Sequence, residues 1–212
     1  MAGNGKNPKI QPVESRQDKR NTYDKQMRRY ERAMRGEFYL EAVLIMYACL
    51  EDRLLYMLYH LGVLTDERKF AAGQGRSARV QAYRAIAKRY NGEKAMLSVF
   101  GIKKKMQLVS AIMQMLLEEG PYPEESRMEA LLRAKLADRE RISGVLGLLK
   151  EIEDWCDYRN EVIHSLMHKN VESLNEELAA QAEKGKKLFR SLDGYVRWIK
   201  GKKIRGALHL TE

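Results

Sequence analysis

"GEFYLEAVLIMYACLEDRLLYMLYHL", residues 36–61, decides the fold class. After Gly36 no proline or glycine interrupts it, and its leucine, methionine and alanine are strong helix formers. Apolar residues recur at steps of three and four, the period of a helix, and Gly62 supplies a stop. At about 100° per residue, Leu44, Tyr47, Ala48, Leu54, Leu55 and Leu58 share a wide apolar face expected to point into a core. Glu51 falls in the middle of that face, whereas Asp52 does not. A carboxylate so placed is costly unless something pairs it. It can serve a site, or simply pair with a cation such as Arg53 or Arg84.

Outward from this helix the same period recurs. Helices are expected over about 77–90, 102–118, 124–138, 139–168 and 171–199, with "EEGPYPEES" at 118–126 as a clear break. No strong breaker separates the 124–138 and 139–168 segments, so they can run as one. Residues 21–35 form a basic, helix-permissive arm whose Tyr23, Met27, Tyr30 and Met34 make a narrow stripe suited to docking on a partner helix. No alternating stretch of useful length reads as a strand, and no internal repeat is present. The expected fold is all-α: an up-and-down bundle of about five to seven helices. The expected organisation is a disordered polar arm over 1–20, one helical domain over 21–200 and a basic tail over 201–212.

Composition narrows the function classes. Of 212 residues, 44% are hydrophobic and 32% charged, ordinary for a soluble protein built of amphipathic helices. Thirty-nine Lys and Arg against 29 Asp and Glu leave a formal charge of +10, which favours a polyanionic partner, nucleic acid ahead of an anionic membrane. The longest apolar run, "VLIMYACL" at 43–50, is too short to span a bilayer, and the N-terminus lacks the apolar core of a secretory signal. A cytoplasmic protein is the default expectation. Cys49 and Cys156 sit within apolar helical patterns and read as buried, inert thiols. No phosphate-binding loop, dinucleotide fingerprint or acyl-transfer constellation occurs, and no cofactor is expected.

The informative anomaly is "DYRNEVIHSLMHKN", residues 157–170. Ile142, Val145, Leu146, Leu149 and Cys156 set the expected core face of this helix, and Asn160 and His164 fall on it. Arg159 lies on its flank. Arginine offers a planar fork for phosphate oxygens, histidine exchanges a proton near neutral pH, and an amide can orient either. The set suits phosphodiester cleavage in RNA, where the 2′-hydroxyl is the nucleophile and neither a serine nor a metal is required. His168 follows His164 at the spacing of two metal ligands on one face, but the glutamate of a zinc-protease helix is missing, and no metal is expected. Glu153, Trp155 and Trp198 read as packing or surface residues.

The segment "RNEVIH", 159–164, resembles the R-x(4–6)-H motif of the HEPN superfamily, with its favoured polar residue directly after the arginine. That resemblance implies a helical bundle and metal-independent endoribonuclease action leaving a 2′,3′-cyclic phosphate. It also implies a homodimer whose two motifs face one another in a composite cleft. Arg159 and His164 match the catalytic pair and Asn160 the position after the arginine. Glu51 is the candidate for the polar side chain that an earlier helix often presents to such a cleft. The family context implies toxin or antiviral-defence systems, with an antitoxin or defence protein as partner. Leu166 stands where one subgroup carries a tyrosine, so a tyrosine-modifying antitoxin is not expected at that spot.

Lys184, Lys186, Lys187, Arg190, Arg197, Lys200, Lys202, Lys203 and Arg205 form a basic run near the C-terminus, expected to track RNA phosphates without choosing sequence. The alternative is a non-catalytic helical module that binds RNA, a nucleotide or a partner protein through the same cleft. A third reading makes the polar triad no more than a pin in a helix interface of a defence assembly.

Overall fold

In a computed structural model the described residues are 16–64, 78–92, 101–119, 125–165 and 175–209. All regular structure among them is helical: α1 Arg16–Arg35, α2 Tyr39–His60, α3 Ala78–Asn91, α4 Ile102–Leu117, α5 Arg127–Lys135, α6 Arg139–Ser165, α7 Asn175–Gly201 and the single turn α8 Ile204–Ala207. None is long and apolar enough to cross a membrane, among the described residues. α1 begins at Arg16, so residues 16–20 belong to a helix and not to the polar arm. Residues 1–15 of that expected arm, like Leu166 and His168, lie outside the described residues.

α2 is the axis of the bundle. Its largest contact is with α7; α1 and α4 also pack on it, and α6 joins α4 to α7. The stripe on α1 docks as expected. Tyr30 is fully buried, while Tyr23, Met27 and Met34 pack against the core at its edge.

On α2, the core face is not the expected one. Val43, Met46, Leu50, Leu54, Met57 and Leu58 are buried, whereas Leu44 and Ala48 are exposed and Tyr47 and Leu55 half-buried. This helix is apolar nearly all round, so periodicity could not choose which side turns inward. Glu51 therefore sits on a flank toward α4, where Lys105 meets it.

α6 is rotated in the same sense. Leu148, Ile152 and Trp155 are buried with Ile142, Val145, Leu149 and Cys156, which moves the centre of the buried face about 60° from the expected one. Arg159 comes inward on this rotation, Asn160 moves to the edge and His164 becomes exposed.

α5 and α6 are separate helices. Ser126 caps α5 in a reciprocal capping box with Glu129, and α5 ends at the buried, non-helical Leu136. Asp138 then accepts from the Arg141 backbone N–H at 3.0 Å, which restarts the chain as α6.

Gly185 sets how closely α7 approaches its neighbours. A Cβ there would lie 2.6 Å from Trp155 Cζ2 and 3.0 Å from Met46 Cβ. The Trp155 indole N–H donates to the Gln181 carbonyl at 2.9 Å, which holds the ring in that position.

The C-terminal end of α2 is closed by side chains from distant elements. Gly62 turns the chain with φ +80. Tyr83 donates to the Leu61 carbonyl, Arg79 to the Gly62 carbonyl, and Arg205 to the Tyr59 and Leu64 carbonyls at 3.2 and 2.7 Å. The Arg205 guanidinium lies 3.6 Å from the centroid of the Tyr59 ring. Cations at the carbonyl end of a helix meet its unpaired acceptors and its negative dipole end. The expected basic tail is thus a docked structural element over 201–209, and Arg205 is 2% exposed.

Candidate functional site

The candidate site lies in the gap between the C-terminal half of α6 and the flank of α2. Arg159 reaches across that gap, with its guanidinium carbon 4.2 Å from the centroid of the Tyr47 ring. Its Nη1 donates to Asn160 Oδ1 at 2.8 Å. The planar cation is therefore held on one side by an aromatic face and fixed in direction by the adjacent amide. Its Nε is buried without an acceptor among the described residues. No carboxylate pairs with Arg159 among them.

Tyr47 is the residue the sequence did not single out. It read as core, yet it is half-buried and forms the floor under Arg159. Desolvation, then the nearby Glu51 carboxylate, raises its phenol above the ordinary value, so Tyr47 remains a protonated donor through the physiological range.

Glu51 shares this neighbourhood, but Lys105 occupies its carboxylate. The Lys105 Nζ–Glu51 Oε1 distance is 2.6 Å, with the lysine side chain 6% exposed and the glutamate 32%. The pairing cation thus comes from α4, neither from Arg53 nor from Arg84. Next to it, Lys103 and Asp157 bridge α4 and α6 at 2.9 Å on the surface.

Within one chain the motif residues divide. Arg159, Asn160 and Tyr47 come together, with Glu51 near Tyr47. His164 is exposed, about 7.5 Å further along the α6 axis and about 140° around it, and is not part of that contact set. The guanidinium is held by Tyr47 and Asn160 and not by the imidazole of the same chain. Glu153 is exposed, and Trp155 is core.

The basic run separates as well. Lys184, Lys187, Arg190, Lys200 and Lys203 are exposed. Lys186 pairs with Glu31 at 2.6 Å beside Tyr30, Arg197 pairs with Asp193, and Lys202 leans on Trp198. Arg205 is spent on α2. Lys184 and Lys200 lie about 160° apart around α7, so the run is not one continuous face.

Cys49 and Cys156 are buried free thiols, each pushed up to about 12, first by desolvation. No group of three or more His, Cys, Asp or Glu side chains gathers as metal ligands among the described residues. Compared with protein-family models, curated proteins and solved structures, the chain matches none.

Proposed function

We propose that this protein is a HEPN-like, metal-independent endoribonuclease acting as a homodimer, with Arg159 and His164 as its catalytic residues. One observation carries the reading: a half-buried guanidinium, oriented by Asn160 and Tyr47, carries no carboxylate among the described residues. A cation fixed in this way, with no acidic partner among those residues, suits the oxygens of a phosphate.

In the proposed step, the 2′-hydroxyl of the RNA attacks the adjacent phosphorus and the 5′-oxygen of the next nucleotide departs. The hydroxyl proton passes to a base, and the departing oxygen takes a proton from an acid. Products are a 2′,3′-cyclic phosphate and a free 5′-hydroxyl. Arg159 stabilises charge on the phosphoryl oxygens, His164 carries a proton, and Asn160 keeps the guanidinium aimed. Because His164 points away from Arg159 within one chain, the imidazole that completes the site comes from a facing second copy. The half-buried Tyr47 and Leu55 with the exposed Leu44 and Ala48 offer an apolar flank on which that copy can pack. A toxin or defence role, with an antitoxin or defence protein as partner, belongs to the same proposal.

The test is RNA digestion in excess chelator with wild type, Arg159→Ala and His164→Ala. Wild type is expected to leave cyclic phosphate ends, and each variant to slow by about 10²-fold or more. Equal rates in all three, or cleavage in none, defeat the reading, as does a monomer at working concentration in sedimentation.

A second reading has its own support. The Glu51 carboxylate is already engaged by Lys105, and His164 has no part in the Arg159 cluster, which also fits a module that binds RNA without cutting it. Salt-sensitive RNA binding without products, lost on neutralising Lys184, Lys187, Arg190 and Lys200, is the outcome that would select it.

A further inference from the structure

A second cleft lies on the other side of α2, between α1 and α7. Its volume is about 700 Å³, within the range of sites for small organic ligands. Four cations line it, Arg20, Arg53, Arg197 and Lys200, against two acids, Asp24 and Asp193. Arg53 and Arg197 both pair with Asp193, the former at 3.0 Å. The acid between them leaves a net positive cleft, with Arg20 and Lys200 exposed. Arg53 is more deeply held, with its side chain 15% exposed and its Nε buried without an acceptor among the described residues.

The remaining wall is aromatic. Tyr23 and Phe189 stack with centroids 5.9 Å apart, and the Arg53 guanidinium lies 3.9 Å from the Tyr23 centroid. Tyr23 donates to Asp52, so its ring is fixed by α2 as well as by α7. An anion alone would need only the cations, and an apolar ligand would not tolerate them. Cations beside a fixed aromatic wall match an organic phosphate that carries a flat ring.

We infer that this cleft binds a phosphorylated nucleoside, free or at the end of an RNA strand, with the base against Tyr23 and Phe189 and the phosphate toward Arg20, Arg53 and Lys200. Arg53 and Tyr47 lie on α2 six residues apart, about 120° to the other side by the shorter way. The cleft is therefore separate from the Arg159 patch, and the inference does not depend on RNA cleavage there.

The experiment is calorimetric titration of the full chain with each of the four ribonucleoside monophosphates, adenosine, ribose 5-phosphate, inorganic phosphate and a 5′-phosphorylated tetranucleotide. At least one monophosphate is expected to bind at least tenfold tighter than its separated pieces. Arg20→Glu and Lys200→Glu, both at exposed positions, are each expected to weaken it about tenfold while the helical circular dichroism stays unchanged. A tetranucleotide that binds tenfold tighter than any monophosphate identifies a strand end as the ligand; equal or weaker binding identifies the free nucleotide. No binding of any of these at millimolar concentration overturns the inference, as does binding that both charge reversals leave intact. Digestion by the Arg20 variant, measured in parallel, keeps failure here distinct from failure of the cleavage proposal.

Discussion

Arg205→Ala is the most direct way to ask whether the last basic residues hold the fold or hold RNA. The native guanidinium makes two hydrogen bonds to main-chain carbonyls and lies over the Tyr59 ring, at 2% exposure. A hydrogen bond from a charged donor is worth about 1.5–3 kcal/mol and a desolvated cation–aromatic contact about 1–2 kcal/mol. Water entering the space left behind recovers part of this, so the net loss is expected at about 3–5 kcal/mol. With a urea m-value of about 2 kcal/mol/M, the unfolding midpoint falls by roughly 2 M. One nitrogen, Nη1, donates both bonds, so lysine at 205 can keep the charge near those carbonyls but loses the planar group over Tyr59, and is expected to recover only part of the loss. The exposed Lys203→Ala is the control and shifts stability by no more than about 0.5 kcal/mol. Urea unfolding followed by circular dichroism measures the global effect. Limited trypsin digestion reports undocking of the 202–205 segment directly. An Arg205→Ala protein within about 1 kcal/mol of wild type, and equally resistant to trypsin, refutes the structural role. Loss of RNA binding at unchanged stability would return Arg205 to the RNA-contacting set.

Two further outcomes follow from packing and burial. Gly185→Ala gains about 1 kcal/mol of helix propensity but drives a methyl group into the anchored Trp155 ring, and is expected to destabilise by about 1–3 kcal/mol net in the same urea assay; a stabilised variant would mean α7 can shift away. For the thiols, the fold favours the neutral form, so the unfolded chain gives up its protons first, near pH 8.5, and the native one near 12. Their contribution is intact below about pH 8.5 and falls by about 1.4 kcal/mol per pH unit per thiol as pH rises toward 12. The decline between pH 9 and 11 should flatten in a Cys49→Ala, Cys156→Ala double variant, and native protein at pH 8 should resist a thiol reagent until denatured; an unaltered slope or immediate labelling refutes this.

The helices themselves were legible because each carries a long run of helix formers between breakers. Gly62, Asn91-Gly92 and the 118–126 break mark ends that the structure keeps. Direction was harder to read. α2 has apolar residues on every side, so the stripe chosen from spacing alone put Leu44 and Ala48 inside when they face out. On α6, leaving out Leu148, Ile152 and Trp155 turned the expected core toward His164 and away from Arg159. The α5–α6 break was present in the sequence as Asp138, a capping residue that no proline or glycine announced.

Of the candidate site, the proximity of Arg159 and Asn160 was carried by adjacency, and Glu51 was rightly marked as a charge needing a partner. Which partner it takes depends on α4, more than fifty residues away in sequence, and no local pattern reports it. Tyr47 was hidden for a related reason, since an aromatic in an apolar run looks like core until a cation is seen above it. The signal for Arg205 was weaker still. Its basic neighbours suggested a surface that tracks RNA phosphates, and only the fold shows it aimed back at α2.

The mating of α2 with α7 has a consequence for synthesis. A ribosome adds about 5–20 residues each second, so the nascent α2 waits several seconds or longer before α7 emerges. Throughout that interval the buried side of an almost wholly apolar helix has only its earlier neighbours to shelter it. A chaperone that engages exposed hydrophobic segments would find its best target there, and slow translation downstream of α6 would prolong the exposure.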